Sequence, residues 1–307
     1  APRTIAADGA VTWRSATDDT SPTMTIDFGG AREFGGLAVD WAGKDFAVDY
    51  DVETSPDGAA WTAAASRKGG DGGRDYLRLP DGEAVWLRVV VRKPSRSGSV
   101  SMKSLRVLPP AFAESDNAAM ETIARDAPPG WYPAYYLGRQ TPWTVVGVPS
   151  DTEEALIDVH GAVEPARLGF RIEPLLRVGD RLLTWADGET EPTLAREVLP
   201  IPSVRWRGAG LEVTTTAFAE GQPGRSNLAL RYEVRNTSDQ PARVELLLAL
   251  RPFQVLPPWQ NLNITGGAAR VEKIRFEGRR VIINNERKVW MLNEPAAIGG
   301  AAFLDGD

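Results

Sequence analysis

The sequence has no cysteine, one histidine and four methionines among its 307 residues. Without cysteine there are no disulfides, no thiolate metal sites and no cysteine nucleophile. One imidazole, at His160, leaves too few ligands for a zinc centre. No apolar run approaches the ~18 residues of a membrane-spanning helix, so no span is expected. Basic runs are missing too. Lys and Arg total 35 against 41 Asp and Glu, a net charge of −6, and they are scattered rather than clustered as in nucleic-acid readers. What remains is ordinary for a chain with cores of its own: 42% hydrophobic, 25% charged, and long enough for two domains. The ten Trp exceed the six Tyr and nine Phe. Indole faces stack on sugar rings, and they serve equally as filler in large β-sandwiches.

Both termini carry expectations. Ala1-Pro2-Arg3 opens without Met or an apolar leader, as in a mature exported chain after signal cleavage or a recombinant product. A secreted or periplasmic location is therefore expected. The closing stretch from Gly300 to Asp307 gives no obvious stop, which predicts that the natural protein continues.

Period-two alternation dominates between them. Met24, Ile26 and Phe28 alternate with polar residues, as do Leu37, Val39 and Trp41, then Val48, Tyr50 and Val52, then Val85, Leu87, Val89 and Val91. Breakers separate the runs at Phe28-Gly29-Gly30, Ser55-Pro56-Asp57-Gly58, Gly69-Gly70-Asp71-Gly72-Gly73 and Pro80-Asp81-Gly82. Such short alternating runs predict antiparallel sandwich sheets. The glycine run lacks the strand-to-helix setting and Lys-Ser/Thr ending of a phosphate loop and reads as a flexible hairpin. One helix is predicted after Ser115, with Met120, Ile123 and Ala124 on one face and Pro128-Pro129-Gly130 as its stop. Alternation then resumes in strand candidates from Thr144 to Ile283, with Asn236 to Pro241 read as a hairpin turn and Gly278-Arg279-Arg280 as another tight connection. The expected fold is all-β: a jelly-roll sandwich over 1–110, a linker helix over 111–130 and a large antiparallel β-super-sandwich over 131–307.

Trp13-Arg14-Ser15, Met24-Thr25-Ile26-Asp27-Phe28-Gly29, Leu37 to Trp41, Tyr50 to Gly58, Trp61-Thr62 and Trp86 to Val91 together resemble the discoidin family, also called coagulation factor 5/8 type C. The resemblance spans roughly 5–108. It implies an eight-stranded jelly roll that binds at the loops of one end, often to sugars, as in family-32 carbohydrate-binding modules. The opening departs from the family, which often holds a structural Ca²⁺ there. Asp18 and Asp19 could offer oxygens, and ordinary loop acids explain them as well. The His, Arg and aromatic set of galactose-binding members is absent. Candidate carbohydrate-binding groups are therefore Trp13 and Arg14 at the first turn; Lys44 and Phe46, flanking Asp45, between two strands; Arg74 and Tyr76, flanking Asp75, after the glycine run; and Arg92, Lys93 and Arg96 in the last loop. Trp41 and Trp61 are assigned to the core.

In the second half, Tyr135 to Gln140, Gly210 to Phe218, Tyr232 to Ser238 and Leu250 to Val255 resemble the super-sandwich that precedes an (α/α)6 barrel in bacterial glycosidases and glycoside phosphorylases, a fold shared with galactose mutarotases. The resemblance places the catalytic carboxylates on that barrel, so a catalytic domain in cis is an expected partner. Pro257-Pro258-Trp259-Gln260-Asn261 would present Trp259 and Asn261 to a sugar or to that domain.

A hydrolytic pair of carboxylates would have to come from Glu153, Glu154, Asp158, Asp187, Glu189 and Glu191. Glu153 and Glu154 are adjacent and would face opposite ways on a strand; the last three sit in a Gly/Pro-containing turn. His160, at a strand end, is the sole candidate acid–base. Three readings follow. The first is a non-catalytic carbohydrate-binding and scaffolding region of a secreted carbohydrate-active enzyme, with no catalytic residue of its own. The second is a self-contained glycan-binding or adhesion protein. The third is a mutarotase- or lyase-like enzyme around His160, which requires that His160 line a concave pocket with an acid in reach.

Overall fold

Strands that alternate apolar and polar residues bury one face and wet the other. The computed structural model describes residues 3–4, 10–17, 19–96, 98–260 and 265–301, and it is all-β, with one α-helix among the described residues. The chain divides into two units, Ala1–Ile123 and Ala124–Ala301.

The first unit contains β1 (Arg3–Thr4), β2 (Ala10–Arg14), β3 (Thr23–Glu33), β4 (Gly36–Trp41), β5 (Ala47–Ser55), β6 (Thr62–Arg67), β7 (Arg74–Arg78), β8 (Glu83–Pro94) and β9 (Ser101–Leu108). One sheet has the order β1-β3-β8-β5-β6 and the other β2-β9-β4-β7. All pairings are antiparallel except that of β1 with β3. Met24, Ile26, Leu87 and Val89 from one sheet close on Leu37, Val39 and Leu105 from the other. A carboxylate lies within this core. Asp75 Oδ2 accepts from Trp41 Nε1 at 2.7 Å and from the Tyr50 hydroxyl at 2.8 Å, and the two rings meet edge to face at 5.4 Å. Buried polar groups persist when so bonded.

Several expectations are corrected here. Phe28-Gly29-Gly30 does not end a strand; it lies inside β3, where the register with β8 shifts between Asp27 and Arg32. The glycine run is not a hairpin, because β6 and β7 belong to different sheets. Gly70 N–H is tied to Val48 O at 2.8 Å and Gly69 N–H to Asp49 Oδ1 at 2.9 Å. Trp61 is not in the core: it is half-buried, with the Arg88 guanidinium 4.1 Å from its ring centroid.

Helix α1 (Asp116–Asp126) starts as expected, with Ala118 N–H donating to Ser115 Oγ at 3.1 Å and Asp116 in the first turn. Ala119, Ile123 and Ala124 form its buried face, with Met120 half-buried.

The second unit contains β10 (Trp143–Val146), β11 (Ala155–Asp158), β12 (Val163–Glu164), β13 (Arg171–Val178), β14 (Arg181–Leu183), β15 (Glu189–Ala195), β16 (Leu199–Gly208), β17 (Leu211–Gln222), β18 (Arg225–Asn236), β19 (Glu245–Arg251), β20 (Ile274–Glu277), β21 (Arg280–Ile283) and β22 (Arg287–Trp290). The sheet β10-β11-β12-β13-β14, with β19 on β13, packs face to face on β15-β16-β17-β18. Ile157 and Val163 meet Val204 and Ala217 at one end; Leu176 and Leu183 meet Trp206 and Val213 at the other. Val281 and Ile283 of the small sheet β20-β21-β22 pack on Phe170 and Ile172.

Two further expectations are corrected. Asn236 to Pro241 is not a hairpin turn: β18 pairs with β17 and β19 with β13, so this segment crosses between sheets. Glu189 and Glu191 are not in a turn but on β15, paired with β16. Asp187 belongs to a capping box, in which Thr184 N–H donates to Asp187 Oδ2 at 2.9 Å and Ala186 N–H to Thr184 Oγ1 at 3.3 Å.

Candidate functional site

Antiparallel connectivity carries alternate loops of the first unit to the same end. The described residues of loops 15–22, 42–46, 68–73 and 95–100 lie there. Backbone bonds join them: Ser15 N–H to Val100 O at 2.9 Å, Ser101 N–H to Asp45 O at 2.8 Å and Ser95 N–H to Phe46 O at 2.9 Å. Trp13, Arg14, Lys44, Phe46 and Arg96 are thus brought to one end. Trp13 and Phe46 are half-buried against the core and form its apolar lid rather than free-standing platforms. Gly72, at φ +92°, lies on the Phe46 ring, where a Cβ would approach to 3.0 Å.

Polar groups at this end are held from below. The Asp45 carboxylate is mostly buried, 16% exposed, whereas Arg14 and Arg96 are 67% and 57% exposed. Arg96 Nε donates to Asp45 Oδ1 at 2.7 Å and its terminal nitrogen reaches the same oxygen. Arg14 lies 3.6 Å from Asp45 Oδ2 and donates through Nε to Ser99 Oγ at 3.2 Å. Ser95 Oγ donates to Lys44 O at 2.6 Å and accepts from Phe46 N–H at 3.2 Å. Ser95 and Ser99 were not singled out in the sequence, where a serine in a Gly/Ser loop carries no distinguishing signal.

The remaining candidates of this unit are engaged elsewhere. Arg74 and Tyr76 lie on β7, not in a loop. Arg74 forks onto Asp40, with its second nitrogen 3.0 Å from Oδ2, and Tyr76 is buried with its ring 6.3 Å from Phe112. Burial works to raise the Asp40 pKa, but hydrogen bonds from Arg74 and Ser104 outweigh it and hold the carboxyl below its ordinary value. Arg92 and Lys93 belong to β8, not to the last loop, and Arg92 Nε donates across the sheet to Asp51 Oδ2 at 2.7 Å. Asp19 Oδ1 accepts from Ser21 N–H at 3.0 Å; Asp18 lies outside the described residues. Among the described residues no group of acids and His is placed to hold a metal ion.

In the second unit Trp259 is 56% exposed and stands edge-on to Tyr135 at 6.2 Å. Tyr135 is buried and donates to Gln254 O at 2.9 Å, so the indole rests on a fixed base. Asn261 lies outside the described residues.

His160 lines a cavity of about 20 Å³ with Thr184, Trp185, Trp206 and Thr215. That volume holds roughly one water, not a sugar ring. Its ring lies 4.8 Å from Trp185, and burial lowers its pKa below 6.5. The neighbouring acid is turned away. Asp158 Oδ1 accepts from the backbone N–H of His160 and Ala162, and Oδ2 takes the buried Arg171 at 2.8 Å. Of the other acids, Glu153 pairs with Arg287 at 3.1 Å and Glu191 with Arg207 at 3.1 Å.

Residues 2–104 match the model of the F5/8 type C domain. No curated protein matches the chain. Solved structures similar to part of it include chitosan-binding module 1 from a chitosanase/glucanase of Paenibacillus sp. IK-5, at 21% identity and TM-score 0.30, covering 31% of this chain and 74% of that one. Another is CpGH89CBM32-5 from Clostridium perfringens, in complex with GalNAc-β-1,3-galactose, at 18% identity and TM-score 0.30, covering 32% and 74%. A third is the family 32 carbohydrate-binding module from Streptococcus pneumoniae EndoD, at 17% identity and TM-score 0.28, covering 32% and 75%.

Proposed function

We propose that this chain binds carbohydrate at the loop end of its first unit and is the non-catalytic binding and scaffolding region of an exported carbohydrate-active enzyme. The match of residues 2–104 to the F5/8 type C domain carries this reading. The loop end supports it chemically, since hydroxyl and guanidinium groups held by bonds between neighbouring loops lie at the same end as the half-buried Trp13 and Phe46. A few placed polar groups beside apolar surface suit a sugar. In this reading the second unit is a super-sandwich that packs against a catalytic domain in cis. The small cavity at His160 gives no support to a mutarotase-like site.

Titration calorimetry of the whole chain against a saccharide panel tests the binding role. Saturable binding, competed by free sugar and weakened by Lys44→Ala and Arg96→Ala, is expected. Binding to no saccharide, or binding indifferent to both changes, would overturn it.

A further inference from the structure

The loop end is not chemically neutral. Arg14 and Arg96 stand around one carboxylate, Asp45, with the exposed Lys44 beside it in the chain, on a protein whose net charge is −6. The acid is the buried member and the two arginines are the exposed ones. An ordinary surface ion pair exposes both partners and stabilises little. Here a single carboxylate aims two guanidiniums outward and neutralises one of them. Ser99 fixes Arg14 from its other side, so both forks are oriented before any ligand arrives. Guanidinium forks match carboxylate and sulfate oxygens geometrically, and donors held in place lose less freedom on binding. Asp19 and Asp71 are the other described acids on these loops, and Asp19 is turned towards its own backbone at Ser21.

We infer that the site selects an anionic saccharide, a uronate or a sulfated sugar, whose acidic group sits between Arg14 and Arg96 while Lys44 supplies long-range attraction. This inference rests on the carbohydrate-binding reading above. One ligand oxyanion on two oriented guanidiniums replaces solvent as their outward partner without disturbing the Asp45 anchor.

The test titrates the whole chain with a galacturonate trisaccharide, a sulfated galactose disaccharide and a neutral galactose trisaccharide at low and high salt. At least one anionic probe is expected to bind about tenfold tighter than the neutral one, with the gap closing as salt rises. The tighter of the two anionic probes identifies the source of the acidic group. Arg14→Gln/Arg96→Gln should bring anionic binding down to that of the neutral probe on the same variant and abolish its excess salt dependence. Equal or tighter binding of the neutral probe, or undiminished anionic binding by the double variant, overturns the inference while the carbohydrate reading stands. If none of the probes binds and the wider saccharide panel also fails, the carbohydrate reading falls and this inference falls with it.

Discussion

Arg171 is fully buried on β13, between Asp158 at 2.8 Å and Glu173 at 3.5 Å, and Arg251 reaches Glu173 from the adjacent strand at 3.2 Å. Removing a buried cation strands the carboxylates it neutralised. Arg171→Met should therefore cost about 3–5 kcal/mol in urea unfolding. A loss under ~1 kcal/mol would mean that this network contributes little to stability. Asp40 gives a milder and pH-dependent case. Its folded pKa is lowered, so its contribution is complete above the unfolded value, about 3.9, and disappears as pH falls through the lowered folded value. Wild-type stability should thus drop below about pH 4, and Asp40→Asn should flatten that drop in acid unfolding curves. Neither role was legible in the sequence. Charges on a strand are ordinarily read as facing water, and Asp158 was weighed only as a loose acid. Arg74 and Tyr76 were misassigned for a related reason: the partners that hold them, Asp40 and Phe112, lie far away in the chain.

Elements were more legible than their connections. Met24, Ile26, Leu87 and Val89 announce their strands because one face must be buried, and Ser115 announces its helix by capping it. Arg92 and Lys93 were read as loop because the apolar face ends at Val91, whereas the backbone pairing continues to Pro94, supported by the ion pair to Asp51. The hairpin expected at Asn236 failed because a crossing between sheets uses the same Asn, Ser and Pro as a turn. Pro192, Pro200 and Pro202 disguised β15 and β16, since proline is normally confined to edges and bulges. Among the described residues β19 pairs with β13 alone, and its Leu247 and Leu248 are exposed. An apolar edge of this kind is open to pairing with another chain. Leu248→Lys should reduce light scattering of concentrated samples while leaving the melting temperature nearly unchanged; unaltered scattering would exonerate the edge. Backbone constraint appears at Gly130, with φ +91° and a would-be Cβ 1.9 Å from Thr184 Oγ1. Gly130→Ala should lower stability by more than ~1 kcal/mol, as read by thermal unfolding.

At the scale of the whole molecule, each unit has a core of its own, one built around Leu37 and Leu87 and the other around Ile157 and Val204. Calorimetry should resolve two transitions, with Asp40→Asn displacing one in acid and Arg171→Met the other at neutral pH. A single transition displaced by both changes would contradict this. The division inside α1 could not be read from composition, because a helix between two sandwiches looks the same whether it joins them or belongs to either. The lone histidine makes the second unit separately observable. Its imidazole lies against the buried indole of Trp185, and burial keeps it neutral to a lower pH than an ordinary histidine. Imidazolium quenches indole fluorescence and neutral imidazole does so far less. The chain therefore carries an optical reporter at one known place: part of its tryptophan emission should dim only when acid reaches His160, with no label attached and no signal from the unit that contains no histidine.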